Sequence, residues 1–404
     1  MSMYLAKYTS LSDLGLYGLV SGGTVIATAA FGARIDYPLM RDLPAMSKSS
    51  ASLGTNGAAH WLALNYALPA APLLWMITCS AGNASLALSL TIYALFCLES
   101  FANFLYNITV ILNRAQLANN LFFLRSGAWV VPAIGIGVLL PSLRGARCAI
   151  LCWLIGVGLA IVINIWALRD RIRWDFLRPS NMATETKWVC SALRRSFGIW
   201  IGTLALMAGG STDRFILAHY CTLSDVGVAT FYLSFTSSMA TLVQSATFVP
   251  MQARLIALHD SQRGKEFSSL VRKGIRDSIF VALSLAVPIG VVVRLAGFYA
   301  GKSELYSAGG LFWLILTAGL IRSVVEGLYY PLFVLRLDRS VWIGNLIFCS
   351  ATVFGNLVLI PKFGLTGLGV SALLASLTLT AVRIVPLRRP FSADKVPVYR
   401  ERRN

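Results

Sequence analysis

LAKYTSLSDLGL spans residues 5–16 and LAHYCTLSDVGV spans residues 217–228; seven of the twelve positions are identical (Leu5/Leu217, Ala6/Ala218, Tyr8/Tyr220, Leu11/Leu223, Ser12/Ser224, Asp13/Asp225, Gly15/Gly227) at a constant offset of 212. Pro38 and Pro250 keep that offset, so the register extends beyond the motif. Each copy has local reasons to fold alike. Ser12 and Ser224 are expected to cap the following helix, the acid stands where the helix dipole favours negative charge, and the glycine permits close helix approach. The turn alone is structural; its repetition marks a duplicated chain.

What surrounds the repeat sets its environment. Hydrophobic residues make up 56% of the chain and charged ones 13%, against roughly 25% charged in soluble proteins, and mean hydropathy is +0.69. A hydrocarbon core about 30 Å thick needs about 20 apolar residues per helix. Runs near 14–33, 57–79, 84–112, 118–141, 146–168, 197–220, 226–250, 276–299, 306–335, 340–361 and 365–387 qualify. The expected fold is an all-α polytopic membrane protein of about eleven transmembrane helices in two homologous halves, 1–187 and 188–387, with a basic tail at 388–404.

The net charge of +18 would suggest nucleic acid in a soluble chain. Here it obeys topology: 27 of the 35 basic residues fall on one alternate set of loops and the tail, counted from Arg383, seven on the other set, and Arg322 inside an apolar run. Basic loops stay cytoplasmic, which places the C-terminus inside and, after eleven crossings, the N-terminus outside. The second LSD turn follows a full apolar helix and the first follows four residues. One helix is therefore expected to be missing from the front, through a misplaced start codon or true loss. The seven cysteines form no CxxC pair and lie in or beside apolar runs, so neither a disulfide framework nor a metal site is expected, and no cofactor is implied.

TDRFILAHYCTLSDVGVATFYLSF (212–235) with Val249-Pro250, YLAKYTSLSDLGLYGLV (4–20) and FGLTGLGVSALLASL (363–377) resemble the half-signatures and last helix of the Wzx-type polysaccharide flippases of the MOP superfamily. The resemblance extends over the chain in helix spacing and short loops. It implies export of undecaprenyl-diphosphate-linked oligosaccharide across the bacterial inner membrane by alternating access, in surface polysaccharide, lipopolysaccharide or exopolysaccharide synthesis. Other polysaccharide assembly proteins are implied partners. The missing first helix departs from the family pattern.

Ionisable groups at membrane depth are costly, so each is a functional candidate. Arg322 and Glu326 share one helix face four residues apart. Arg322 suits bidentate contact with the carrier diphosphate and Glu326 suits ion coupling; a mutually neutralising pair is the alternative. Glu99, Asn103 and Asn107 form a polar stripe at i, i+4 and i+8 that faces a cavity or another helix. Arg34 and Arg41 follow the first apolar run and can recruit an anionic headgroup, although topology already explains them. Asp213 and Arg214 are expected as an interfacial anchor at the rim in preference to a gate. His60, His219 and His259 show no ligand spacing, and the basic tail is expected on anionic inner-leaflet lipids.

Three other function classes compete. A MATE-like cation-coupled antiporter on the same fold would favour acidic cavity residues, and an inactive truncated relative is a further alternative. A membrane glycosyltransferase or polymerase would need catalytic loops; the sequence carries no triad, metal motif or phosphate loop, so an enzyme is not expected. Energy would come from an ion gradient rather than ATP.

Overall fold

The computed structural model describes residues 1–42, 48–67, 86–112, 115–170, 172 and 182–392, and all regular structure among them is helical. The chain divides into two compact units, Met3–Met207 and Ala208–Asn404; the sequence division at 187/188 lies earlier, in α9. The first unit contains α1 (Ser2–Tyr8), α2 (Leu11–Gly32), α3 (Asp36–Asp42), α4 (Lys48–Ala67), α5 (Leu86–Ile111), α6 (Ala115–Phe123), α7 (Val130–Leu139), α8 (Ala146–Leu168) and most of α9 (Met182–Gly209). The second contains α10 (Thr212–Tyr220), α11 (Leu223–Ala246), α12 (Phe248–Asp260), α13 (Gly264–Ala300), α14 (Ser303–Ser307), α15 (Gly309–Gly327), α16 (Tyr329–Val334) and α17 (Asp338–Ser392), which is bent at Gly364.

The repeated turn builds the same device in both units. Thr9 breaks the chain at φ −131°, ψ −168° and Cys221 at φ −126°, ψ −167°. The caps are Ser10 and Thr222, two residues before the expected Ser12 and Ser224, which sit inside the first turn. Ser10 Oγ accepts the Asp13 N–H at 3.0 Å, and Thr222 Oγ1 accepts the Asp225 N–H at 3.2 Å while the Asp225 carboxylate accepts the Thr222 N–H. Ser10/Thr222 is a mismatch in the repeat, yet either hydroxyl satisfies the same orphan N–H. The next helices, α3 and α12, also start 212 residues apart, each with proline in its third position.

Eight helical segments among the described residues are long and apolar enough to cross a membrane: Leu11–Gly32, Leu86–Val110, Gln116–Leu139, Ala146–Leu168, Leu223–His259, Gly264–Ala300, Gly309–Val334 and Asp338–Leu387. The count differs from eleven for local reasons. The last segment holds both final runs on either side of Gly364. The run near 57–79 falls partly outside the described residues. The run near 197–220 breaks between α9 and α10. On α13, Phe280, Leu283, Val287, Val291, Leu295 and Phe298 are all exposed, at helical spacing along one ridge. Leu151, Ile155, Leu159 and Val162 do the same on α8. Large apolar ridges of this kind find their solvent in lipid.

Inside the second unit, Phe248, Leu255, Phe267, Val271, Leu328, Leu332 and Leu387 form a continuous core. Its helices approach closely through glycine. A methyl group on Gly327 would overlap the Phe248 ring, and one on Gly319 would lie 2.9 Å from Thr236 Cβ. Gly364, at φ 54°, turns α17 back on itself, and a methyl on Gly367 would overlap the Leu359 carbonyl. Backbone cannot yield as a side chain does. Gly367→Ala is therefore expected to destabilise the chain by about 1–3 kcal/mol or more, read as a lower Tm in detergent. An unchanged Tm would show that the two arms of α17 do not need this contact.

Candidate functional site

The second unit concentrates buried charge around α15. Gly319 and Gly327 let this helix lie against α11 and α12, so the polar face carrying Arg322 and Glu326 meets Gln244 near the end of α11. Arg322 Nε donates to Glu326 Oε1 at 2.5 Å, and Gln244 Nε2 donates to Glu326 Oε2 at 2.7 Å. Both carboxylate oxygens are thus engaged. Arg322 also stacks over the Phe348 ring of α17 at 5.3 Å, a cation–π contact that holds the guanidinium plane. Its side chain is 33% exposed, against 16% for Glu326. Among the described residues its Nη atoms make no hydrogen bond. The result is a guanidinium fixed on one edge and one face and open at its fork, the geometry that binds an oxyanion through two parallel N–H donors.

Asp213 and Arg383 complete the charge balance. The sequence places Asp213 at the rim with Arg214. It is instead buried, at 9% exposure in the first turn of α10, where it accepts the Arg214 backbone N–H at 2.8 Å and interacts electrostatically with Arg322. Burial arises because Ser211 breaks the run and α10 packs on α17.

Loop-charge topology assigns Arg383 to the cytoplasmic tail. It lies inside the second arm of α17 and is 2% exposed. Its Nη1 donates to the Val325 carbonyl at 3.0 Å and its Nη2 to Asn345 Oδ1 at 2.9 Å. The helix continues to Ser392, past the apolar run, and carries the arginine back into the unit. The available signal was its flanking sequence, LTAVRIVPL, which is apolar on both sides.

The first unit handles its intramembrane acid differently. Glu99, on α5, is 4% exposed; it accepts Arg125 Nε at 2.5 Å and Trp153 Nε1 at 2.7 Å. Arg125 also donates to Asn103 Oδ1 at 3.2 Å. Arg125 sits in a five-residue π-helical turn, Leu124–Ala128. Such a turn inserts an extra residue and re-aims the side chains that follow. Asn107 Nδ2 donates to Asp36 at 2.7 Å, and Arg34 Nε lies 3.4 Å from the same carboxylate. The stripe 99–103–107 is thus consumed by helix–helix hydrogen bonds within the unit. The Arg41 side chain lies outside the described residues.

His60, which has no ligand spacing in the sequence, lies 3.0 Å from Glu185 across α4 and α9. Sequence reading missed Gln244, Asn345, Arg383, Trp153, Asp36 and Glu185. Each reaches its partner across tens of residues, where helical periodicity is silent.

No protein-family model matches the chain, and no curated protein matches it by sequence. Solved structures do. A multidrug resistance MATE family transporter of the MOP superfamily in its inward-facing conformation aligns at a TM-score of 0.77 with 14% identity, covering 97% of this chain and 93% of that one. The lipid II flippase MurJ in an inward closed conformation aligns at 0.69 with 11% identity, covering 97% and 86%. The MATE multidrug transporter DinF-BH aligns at 0.63 with 15% identity, covering 97% and 91%. At these identities the likeness establishes architecture: the chain has the all-helical, polytopic membrane fold shared by MATE transporters and the MurJ flippase of the MOP superfamily.

Proposed function

We propose that this chain is a flippase that carries polyprenyl-diphosphate-linked oligosaccharide across the bacterial inner membrane by alternating access, serving surface polysaccharide synthesis. The observation that carries this reading is Arg322: a partly exposed guanidinium in an apolar helix, clamped by Glu326 and Phe348 with its fork open. An anionic diphosphate satisfies that fork and a cationic drug does not. The Wzx-like signatures at 4–20 and 212–235 support the same substrate class. The loop charges support a cytoplasmic C-terminus, with the basic tail against anionic lipids.

Buried carboxylates favour a second reading. Asp213 and Glu99 are buried and Glu326 is 16% exposed, and a MATE-like antiporter would favour acidic cavity residues. One experiment separates the two. The chain is expressed in a flippase-null bacterium making a defined glycan, and separately in a strain lacking its multidrug exporters. Restored surface polysaccharide with no change in ethidium accumulation is the expected result. Ethidium efflux without polysaccharide would assign the antiporter instead.

A further inference from the structure

Arg383 has no role in the substrate contact just described, yet it is the largest fully buried side chain among the described residues. A buried cation is normally compensated by a carboxylate. None lies within ion-pair distance of Arg383 among the described residues: its two hydrogen-bond acceptors, Val325 O and Asn345 Oδ1, are neutral, and its Nε has no partner. The compensating charge is next door. Arg383 is anchored on the backbone of Val325, the residue before Glu326, and the two charged groups interact electrostatically. Glu326 is thus bonded to one arginine and feels the charge of a second. Gln244 holds the other carboxylate oxygen in place, so only the partner of Oε1 has to change.

We propose that Arg383 is the exchange partner of Glu326: when a diphosphate occupies the fork of Arg322, Glu326 releases Arg322 and takes Arg383. This positioning role rests on the diphosphate reading of Arg322. Diphosphate neutralises Arg322 and removes its claim on the carboxylate, which would otherwise be stranded. Arg383 resolves the stranded charge and its own unmet donor in one step. Arg383 and Asn345 both belong to α17, so the exchange replaces a bond internal to α15 with one between α15 and α17. Substrate occupancy is thereby transmitted to the last helix of the unit.

The test is titration of farnesyl diphosphate into the full chain in detergent by calorimetry, with farnesol as the probe lacking the diphosphate. Arg383→Gln is expected to weaken binding about tenfold, equivalent to ~1.4 kcal/mol. In the Glu326→Gln background, where no carboxylate needs a new partner, the same substitution is expected to change Kd by less than about twofold, the tolerance for independent sites. An arginine that acts on binding independently of Glu326 costs the same in both backgrounds. Arg383→Lys keeps the charge and is expected to bind near the wild-type level; if the glutamine variant does not fold, a tenfold loss in Arg383→Lys overturns the exchange. Equal Kd for wild type and Arg383→Gln, or the same loss in both backgrounds, overturns the exchange. Failure of the wild type to prefer farnesyl diphosphate over farnesol overturns the diphosphate reading of Arg322 itself, and the exchange falls with it.

Discussion

Arg322→Ala is expected to abolish polysaccharide export in the complementation strain while the protein remains in the membrane at the wild-type level. Hydrogen bonds to charged groups contribute about 1.5–3 kcal/mol each, and a fork makes two of them. Losing both lowers the rate about a hundredfold or more if they stabilise the translocating state. The fold should survive, because Glu326 keeps the Gln244 hydrogen bond and feels the charge of Arg383. Arg322→Lys separates charge from geometry: ammonium keeps the charge but lacks the planar fork, so export is expected to fall between the wild type and alanine. Normal export by Arg322→Ala would remove the residue from the substrate path.

Glu99→Ala is expected to act on stability rather than on substrate. The carboxylate is 5% exposed and joins α5 to the π-helical turn through Arg125 and to α8 through Trp153. Its removal leaves Arg125, 16% exposed, without its anion. Breaking a buried pair from one side costs about 3–5 kcal/mol, and the Trp153 donor is orphaned as well. Trp153 is itself stacked on Trp129 at 5.4 Å, with Tyr17 at 6.2 Å. The loss should therefore spread through that aromatic cluster and appear as a change in tryptophan fluorescence together with a lower Tm. Glu99→Gln keeps an acceptor of similar size and should lose less. Equal stability of the wild type and Glu99→Ala would mean that the three helices are held by packing alone.

The two acids show where reading by spacing succeeds. Arg322 and Glu326 are legible because a helix places i and i+4 together whatever surrounds it, and the structure brings them to 2.5 Å. Glu99 and Asn103 are equally legible as a stripe, but the stripe's destination was open. A cavity and a neighbouring helix present the same pattern to the sequence, and the choice depended on Arg125, whose aim is set by a π-helical turn. Arg383 failed for a sharper reason. Topology rules read basic residues by their position relative to apolar runs, and Arg383 stands at the end of the last run. Only continuation of α17 to Ser392, and its packing on α15, reveals that this charge faces inward. Asp213 is the mirror case: a charge near a helix end normally snorkels outward, and the break at Ser211 turned it inward instead.

Class, helical architecture and duplication follow from the sequence by itself. Each rests on local or periodic physics: the length of an apolar helix, the capping of a broken turn, and a fixed offset between copies. The shift of the cap from Ser12 to Ser10 cost nothing at this level, because a hydroxyl two residues earlier serves the same N–H. The tertiary structure alone decided which charges meet. Gln244, Arg383 and Trp153 reach Glu326, Val325 and Glu99 across separations of 82, 58 and 54 residues. The glycines at 319, 327 and 367 decide how closely those helices approach. Charge compensation inside a membrane depends on distance in space, and the chain order contains that distance only after the helices have packed.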